Sequence, residues 1–150
     1  MPRAFRTLLI ALAAMALAPL ARAAEQVDLL LVLASDVSRS VDQAKFQLQR
    51  EGYAAAITDK RVLEAITAGR TRRIAVSFVE WSGVTSQRVV IDWTVIDSPD
   101  AARKFSDQLI ELPRSFAERT SISGGIDFAM AVLARAPYES PRRTIDVSGD

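Results

Sequence analysis

The chain has no cysteine and no histidine. Without cysteine no disulfide can brace the fold, so apolar packing must hold it alone. Without histidine, Ser-His triads, the usual general base and His-rich zinc or copper sites are all excluded. Any metal bound here must be held by oxygen, which selects hard cations such as Mg2+, Mn2+ or Ca2+. Internal repeats, low-complexity tracts and linkers are also missing, so the chain is one domain at most.

An excess of charge is a further absence. The formal net charge is +1, but Arg3, Arg6 and Arg22 all fall in the first 23 residues. Without them 16 basic residues face 18 acidic ones, a net of −2. No basic patch remains that would argue for nucleic acid. The basic pairs Arg72-Arg73 and Arg142-Arg143 suit a solvated rim where strands begin.

The start of the chain reads as an address. Arg3 and Arg6 precede an apolar run from Leu8 to Leu20, Pro19 interrupts it, and Ala21-Arg22-Ala23 gives a small-x-small cleavage pattern. The run is short for a bilayer span, which needs about 20 residues. Residues 1–23 are therefore expected to be a cleaved signal peptide, leaving 24–150 as a periplasmic or secreted domain with no membrane span. The arginines are not adjacent, which argues against twin-arginine export, and no cysteine follows to carry a lipid anchor.

The whole chain is 49% hydrophobic, enough for a core to which residues 1–23 are not expected to contribute. The apolar run Leu29 to Leu33, within Val27 to Ser35, is the length of a strand covered on both faces. A helical period follows over Val41 to Asp59, with Ala44, Leu48, Tyr53 and Ala55 or Ala56 inward and Lys45, Gln49, Arg50 and Glu51 between them. A second helical piece, about 61–68, stops at Gly69. Strands are expected over Arg73 to Trp81 and Gln87 to Trp93, joined too closely for a parallel crossover and so antiparallel. Ser98-Pro99-Asp100 opens a helix burying Ala101, Ala102, Phe105, Leu109 and Leu112, which stops at Pro113. After a polar loop over 114–119, a helix from Ser123 to Ala136 is expected to bury Ile126, Met130 and Leu133. The last strand is Arg143 to Ser148. The order β-α-β-β-α-α-β predicts an open, mostly parallel α/β sheet with helices on both faces and one antiparallel edge strand. In such sheets the chemistry lies beyond the carboxyl ends of the strands.

At that position the first strand delivers Asp36-Val37-Ser38-Arg39-Ser40. Alternate residues of an extended turn point to one side, so a carboxylate and two hydroxyls converge. A hard cation accepts such ligands, and neutral hydroxyls leave much of its charge uncompensated. The competing reading is ordinary helix capping, for which Ser40 alone would serve. Arg39 reads either as a solvated loop residue or as a second cation beside an incoming carboxylate. Glu80 suits a satisfied edge residue better than a ligand, and Asp146 either an ion-pair partner or a residue near the strand end.

The D-x-S-x-S turn and the order of elements resemble the von Willebrand factor A domain and its metal-ion-dependent adhesion site. That resemblance implies two more ligands. Thr120 opens Thr120-Ser121-Ile122-Ser123-Gly124-Gly125-Ile126, and Asp150 ends Ile145-Asp146-Val147-Ser148-Gly149-Asp150. The sequence departs from the family's usual glycine at Arg39 and at Arg119. Val79-Glu80-Trp81-Ser82-Gly83 and the Asp150 segment are most similar to a bacterial branch, domain of unknown function 1194. The resemblance implies a Rossmann-like fold and a metal site of Asp36, Ser38, Ser40, Thr120 and Asp150, with Mg2+ first and Mn2+ or Ca2+ as alternatives. It also implies binding rather than turnover, the open coordination position taking a carboxylate from a protein partner.

Because that family's sheet has two more strands, 24–150 is expected to be a partial domain. Two other readings follow from the residues. Asp36 could be the nucleophile of a phosphotransferase or hydrolase, although such enzymes usually carry a second acid where Ser38 stands. The chain could also be a truncated product without function.

Overall fold

A computed structural model describes residues 23–149. Residues 1–22 of the expected signal peptide, and the candidate ligand Asp150, lie outside them. The elements are β1 (Glu25–Gln26), β2 (Leu30–Asp36), α1 (Gln43–Thr58), α2 (Lys60–Thr67), β3 (Ile74–Trp81), β4 (Gln87–Ile96), α3 (Pro99–Glu111), α4 (Ile122–Ala134), β5 (Tyr138–Glu139) and β6 (Arg143–Ser148). Four strands form the main sheet in the order β4-β3-β2-β6, and β1 and β5 form a small parallel pair. β2 is parallel to both β3 and β6, while β4 is the antiparallel edge. The expected α/β architecture is present.

Strand alternation divides the core into two layers. Leu33, Val76, Phe78 and Ile74 point toward α1, α2 and α3, where they meet Ala54, Ile57, Ile66, Phe105 and Leu109. Leu30, Val32, Ala34, Val79 and Trp81 point the other way, toward Ala129, Val132 and Leu133 of α4. All eight residues of β3 are buried, as an interior strand covered on both faces requires.

β4 runs three residues beyond the expected Trp93. The register passes from Phe78 opposite Ile91 to Val76 opposite Thr94, so two residues of β4 face one of β3. This bulge absorbs the polar Asp92 and lets pairing continue to Ile96. The Ser77 hydroxyl donates to the Ile91 carbonyl there at 3.0 Å.

Two helix faces differ from expectation. In α1 the buried stripe is Phe46, Arg50, Ala54 and Ile57, while Ala44, Ala55 and Ala56 are exposed and Leu48 is 69% exposed. Alanine does not bias the face, and Arg50 is brought inside by a buried acid on β3. In α4 the buried residues are Gly125, Ala129, Val132 and Leu133, leaving Ile126 and Met130 40% and 55% exposed. Small residues face the sheet because α4 approaches it closely: a Cβ on Gly125 would lie 2.6 Å from Cδ2 of Trp81.

At the opposite end of the sheet from the candidate site, Asp28 accepts the Thr71 N–H on both oxygens, at 2.9 and 3.0 Å. That bond holds its carboxyl below the usual carboxylate range. No described helix is long and apolar enough to cross a membrane.

Candidate metal centre

Asp36 ends β2 opposite Trp81, the last residue of β3. The next residue, Val37, donates its N–H to the Trp81 carbonyl at 2.9 Å, extending the ladder one step before the chain turns. The turn closes on itself: Asp36 Oδ1 accepts the Ser38 N–H at 2.7 Å, and the Ser38 carbonyl accepts the Val41 N–H at 3.0 Å. Asp36 and Ser38 are 1% and 0% exposed, whereas Ser40 is exposed on the rim.

Helix capping does not occupy this turn. Asp42 caps α1, its carboxylate accepting the Lys45 N–H at 2.8 Å. The Ser40 hydroxyl instead shares a hydrogen bond with that of Ser38 at 3.0 Å. That separation is set by the hydrogen bond, and it is also close to the roughly 2.9 Å edge of a Mg2+ octahedron, so an ion could take both oxygens with little movement. Among the described residues no three acidic side chains gather as a metal cluster. An ion here would rely on hydroxyls and one carboxylate, a donor set suited to a hard cation.

Thr120 is exposed at the end of the non-regular segment 113–120, just before α4. Two residues back, the Glu118 carbonyl accepts the Arg39 N–H at 2.9 Å, and one residue on, Ser121 donates its N–H to the Ser82 carbonyl at 2.6 Å. Thr120 is thus tethered on one side to the Asp36–Ser40 turn and on the other to the residue following β3. Ser121, not Thr120, is the N-cap of α4. At the end of β6, a Cβ on Gly149 would lie 3.5 Å from Asp36 Oδ2, so the described chain reaches the Asp36 carboxylate one residue before Asp150. Asp36, Ser38 and Ser40 therefore come together, and Thr120 lies at the same end of the sheet.

Arg39 is exposed, with Nε donating to the Ala117 carbonyl at 3.4 Å. Asp146 is exposed and accepts from the Tyr53 hydroxyl at 3.2 Å. Burial pushes that hydroxyl's pKa up to about 12.

Glu80 corrects the expectation of an edge residue. It is on an interior strand, 0% exposed, and its Oε1 accepts from Arg50 Nη2 at 2.6 Å. Its other oxygen accepts the Ser115 N–H at 2.8 Å. Arg114 was not singled out by the sequence, because an arginine in a polar loop reads as solvated. Its Nη2 donates to the carbonyls of Val37 and Ser38 at 2.5 and 2.7 Å.

The fold and the position of this turn define the class: an open, mostly parallel α/β domain with an aspartate and two serines gathered at the carboxyl end of its sheet. More particularly, the chain belongs to the family described as "Protein of unknown function (DUF1194)", whose model matches residues 26–150. No curated protein matches it. Among solved structures it is similar to the PilB minor pilin of Streptococcus sanguinis, with TM-score 0.61 and 17% identity over 81% of this chain and 29% of the pilin. It is also similar to the three N-terminal domains of the type V pili tip protein Mfa5 of Porphyromonas gingivalis. There the TM-score is 0.50 and the identity 15%, over 81% of this chain and 19% of the other. The chain thus spans less than a third of the length of either. At these identities the likeness concerns the fold.

Proposed function

We propose that this protein is an exported binding module, not an enzyme, which uses a divalent cation to engage an acidic group on a protein partner. Asp36, Ser38, Ser40, Thr120 and Asp150 would hold the ion, with Mg2+ as the first choice among the hard cations that an oxygen-only donor set accepts. The observation that carries the reading is the Ser38–Ser40 hydroxyl pair, 3.0 Å apart beside the buried Asp36 and not used to cap α1. Bound there, the ion supplies Lewis acidity toward an incoming carboxylate. The protein's part is to hold neutral hydroxyls in place and leave the ion's charge incompletely balanced.

A binding role is supported by the fold shared with a minor pilin and a pilus tip protein. An exported location is supported by the features of residues 1–23. The phosphotransferase alternative lacks its second acid, since Ser38 stands in that place.

The test uses a fluorescently labelled oligoglutamate peptide, with anisotropy measured in Mg2+ and in EDTA. Binding that needs Mg2+ and disappears in Ser38→Ala is expected. Binding unchanged by EDTA would contradict the proposal, as would phosphatase turnover abolished by Asp36→Ala.

A further inference from the structure

The segment 113–120 carries the candidate ligand Thr120 but has no helical or strand ladder of its own. Its shape must come from what it is tied to. Its first half is fixed at two adjacent residues. Arg114 reaches the Val37 and Ser38 carbonyls with one nitrogen, and its Nε donates to the Phe116 carbonyl at 3.1 Å. Ser115 donates its N–H to Glu80 at 2.8 Å.

Glu80 is itself held from behind. Arg50 of α1 pairs with it, donates through Nη1 to the Leu109 carbonyl of α3 at 2.6 Å, and lies over the rings of Phe46 and Phe78 at 5.1 and 4.8 Å. Arg114 also lies over Phe46, at 5.6 Å. One aromatic ring thus contacts two arginines: one anchors the loop to the Asp36–Ser40 turn, the other anchors the acid that receives the loop.

Stability is a poor explanation for this arrangement. A buried ion pair gives up two hydration shells, and apolar residues of similar volume often replace it without loss. The Arg50 Nε, moreover, is buried without a partner among the described residues. Geometry explains it better. The pair delivers a carboxylate oxygen to the Ser115 amide, while Arg114 locks the same loop onto the carbonyls on either side of the Val37–Ser38 bond.

We propose that Arg114 and the buried Arg50–Glu80 pair are positioning residues, which set the spacing between the Asp36–Ser40 turn and Thr120 and so tune metal affinity. None of the three is a metal ligand. This inference rests on the metal reading above, but it also makes a claim that can be read without metal.

The test uses the full chain in three forms: wild type, Arg114→Met, and the double variant R50M/E80M, which keeps apolar bulk and removes both charges together. Three quantities are measured: the urea midpoint, amide exchange at Ser38, Arg39 and Ser121, and Mn2+ affinity by electron paramagnetic resonance. The double variant is expected to keep its urea midpoint. Both variants should exchange the Arg39 and Ser121 amides faster while core β3 amides hold, and should bind Mn2+ about 10–100-fold more weakly. Unchanged Mn2+ affinity and exchange in both variants would overturn this inference and leave the metal reading standing. A wild type that binds no Mn2+ would overturn both.

Discussion

Two glycines in helices should respond to alanine with opposite signs. Gly52 lies within α1, and a Cβ there would meet nothing within 4 Å. Gly52→Ala should therefore gain only the helix preference of alanine, about 0.5–1 kcal/mol. At Gly125 of α4 the added carbon would be 2.6, 2.7 and 3.1 Å from three atoms of the Trp81 indole. Carbon atoms sit comfortably at about 3.5–4.0 Å, so the helix must retreat by roughly 1 Å or the ring must move.

The ring has little freedom to do so. Its N–H donates to the Ala34 carbonyl at 3.1 Å, and the residue is 1% exposed. Overpacking of this kind costs about 1–3 kcal/mol, against about 1 kcal/mol gained in helix preference. The contacts are severe, so Gly125→Ala should be destabilised by about 1–2 kcal/mol net. Urea unfolding followed by tryptophan fluorescence measures both variants, which should bracket the wild type at unchanged m-value. A Gly125→Ala midpoint at or above that of Gly52→Ala would refute the close packing of α4 on Trp81.

The exposed and buried faces of α4 give a second test: Met130→Gln should stay within about 0.5 kcal/mol of wild type, while Leu133→Ala should lose about 2–5 kcal/mol, as urea midpoints would report. At acid pH, the depressed carboxyl of Asp28 contributes stability that is present above the unfolded value near 3.9 and lost as pH falls through its folded pKa. Asp28→Asn should therefore flatten part of the acid limb of a stability–pH curve, and a parallel curve would refute the Thr71 contact. At alkaline pH the sign is reversed in direction of travel. The Tyr53 hydroxyl, raised to about 12, contributes fully below the unfolded value near 10, and that contribution fades as pH climbs through 12. Tyr53→Phe should remove that fade in an alkaline unfolding series.

Much of this fold was legible because the strands are apolar runs of strand length and the helix starts carry explicit caps. Leu29 to Leu33 marked β2, and Ser98-Pro99-Asp100 marked the start of α3, with Ser98 as its N-cap. Helix faces were less legible. Alanines at 44, 55 and 56 of α1 carry little preference, and the true stripe includes a charged residue, Arg50. Its burial depends on Glu80, an acid 30 positions away whose location inside the sheet no local pattern reveals. In α4 the wide apolar surface hid which side meets Trp81. The small residues Gly125 and Ala129, not the larger Ile126 and Met130, were the informative ones.

The candidate site divides along the same line. Asp36, Ser38 and Ser40 were legible because strand end, turn and helix start are local. The supports of the turn were not. Arg114 bonds to carbonyls more than seventy positions earlier in the chain, and nothing in its neighbours distinguishes it from a solvated arginine.

On the proposed function, the hydroxyl pair at the end of β2 holds a divalent ion. Titrating the full chain with Mn2+ and counting free ion by electron paramagnetic resonance tests it most directly. One Mn2+ per wild-type chain, displaced by Mg2+ and lost in a folded S38A/S40A variant, is the predicted result. Binding of the same stoichiometry and affinity in that variant, or none in the wild type, would contradict the account.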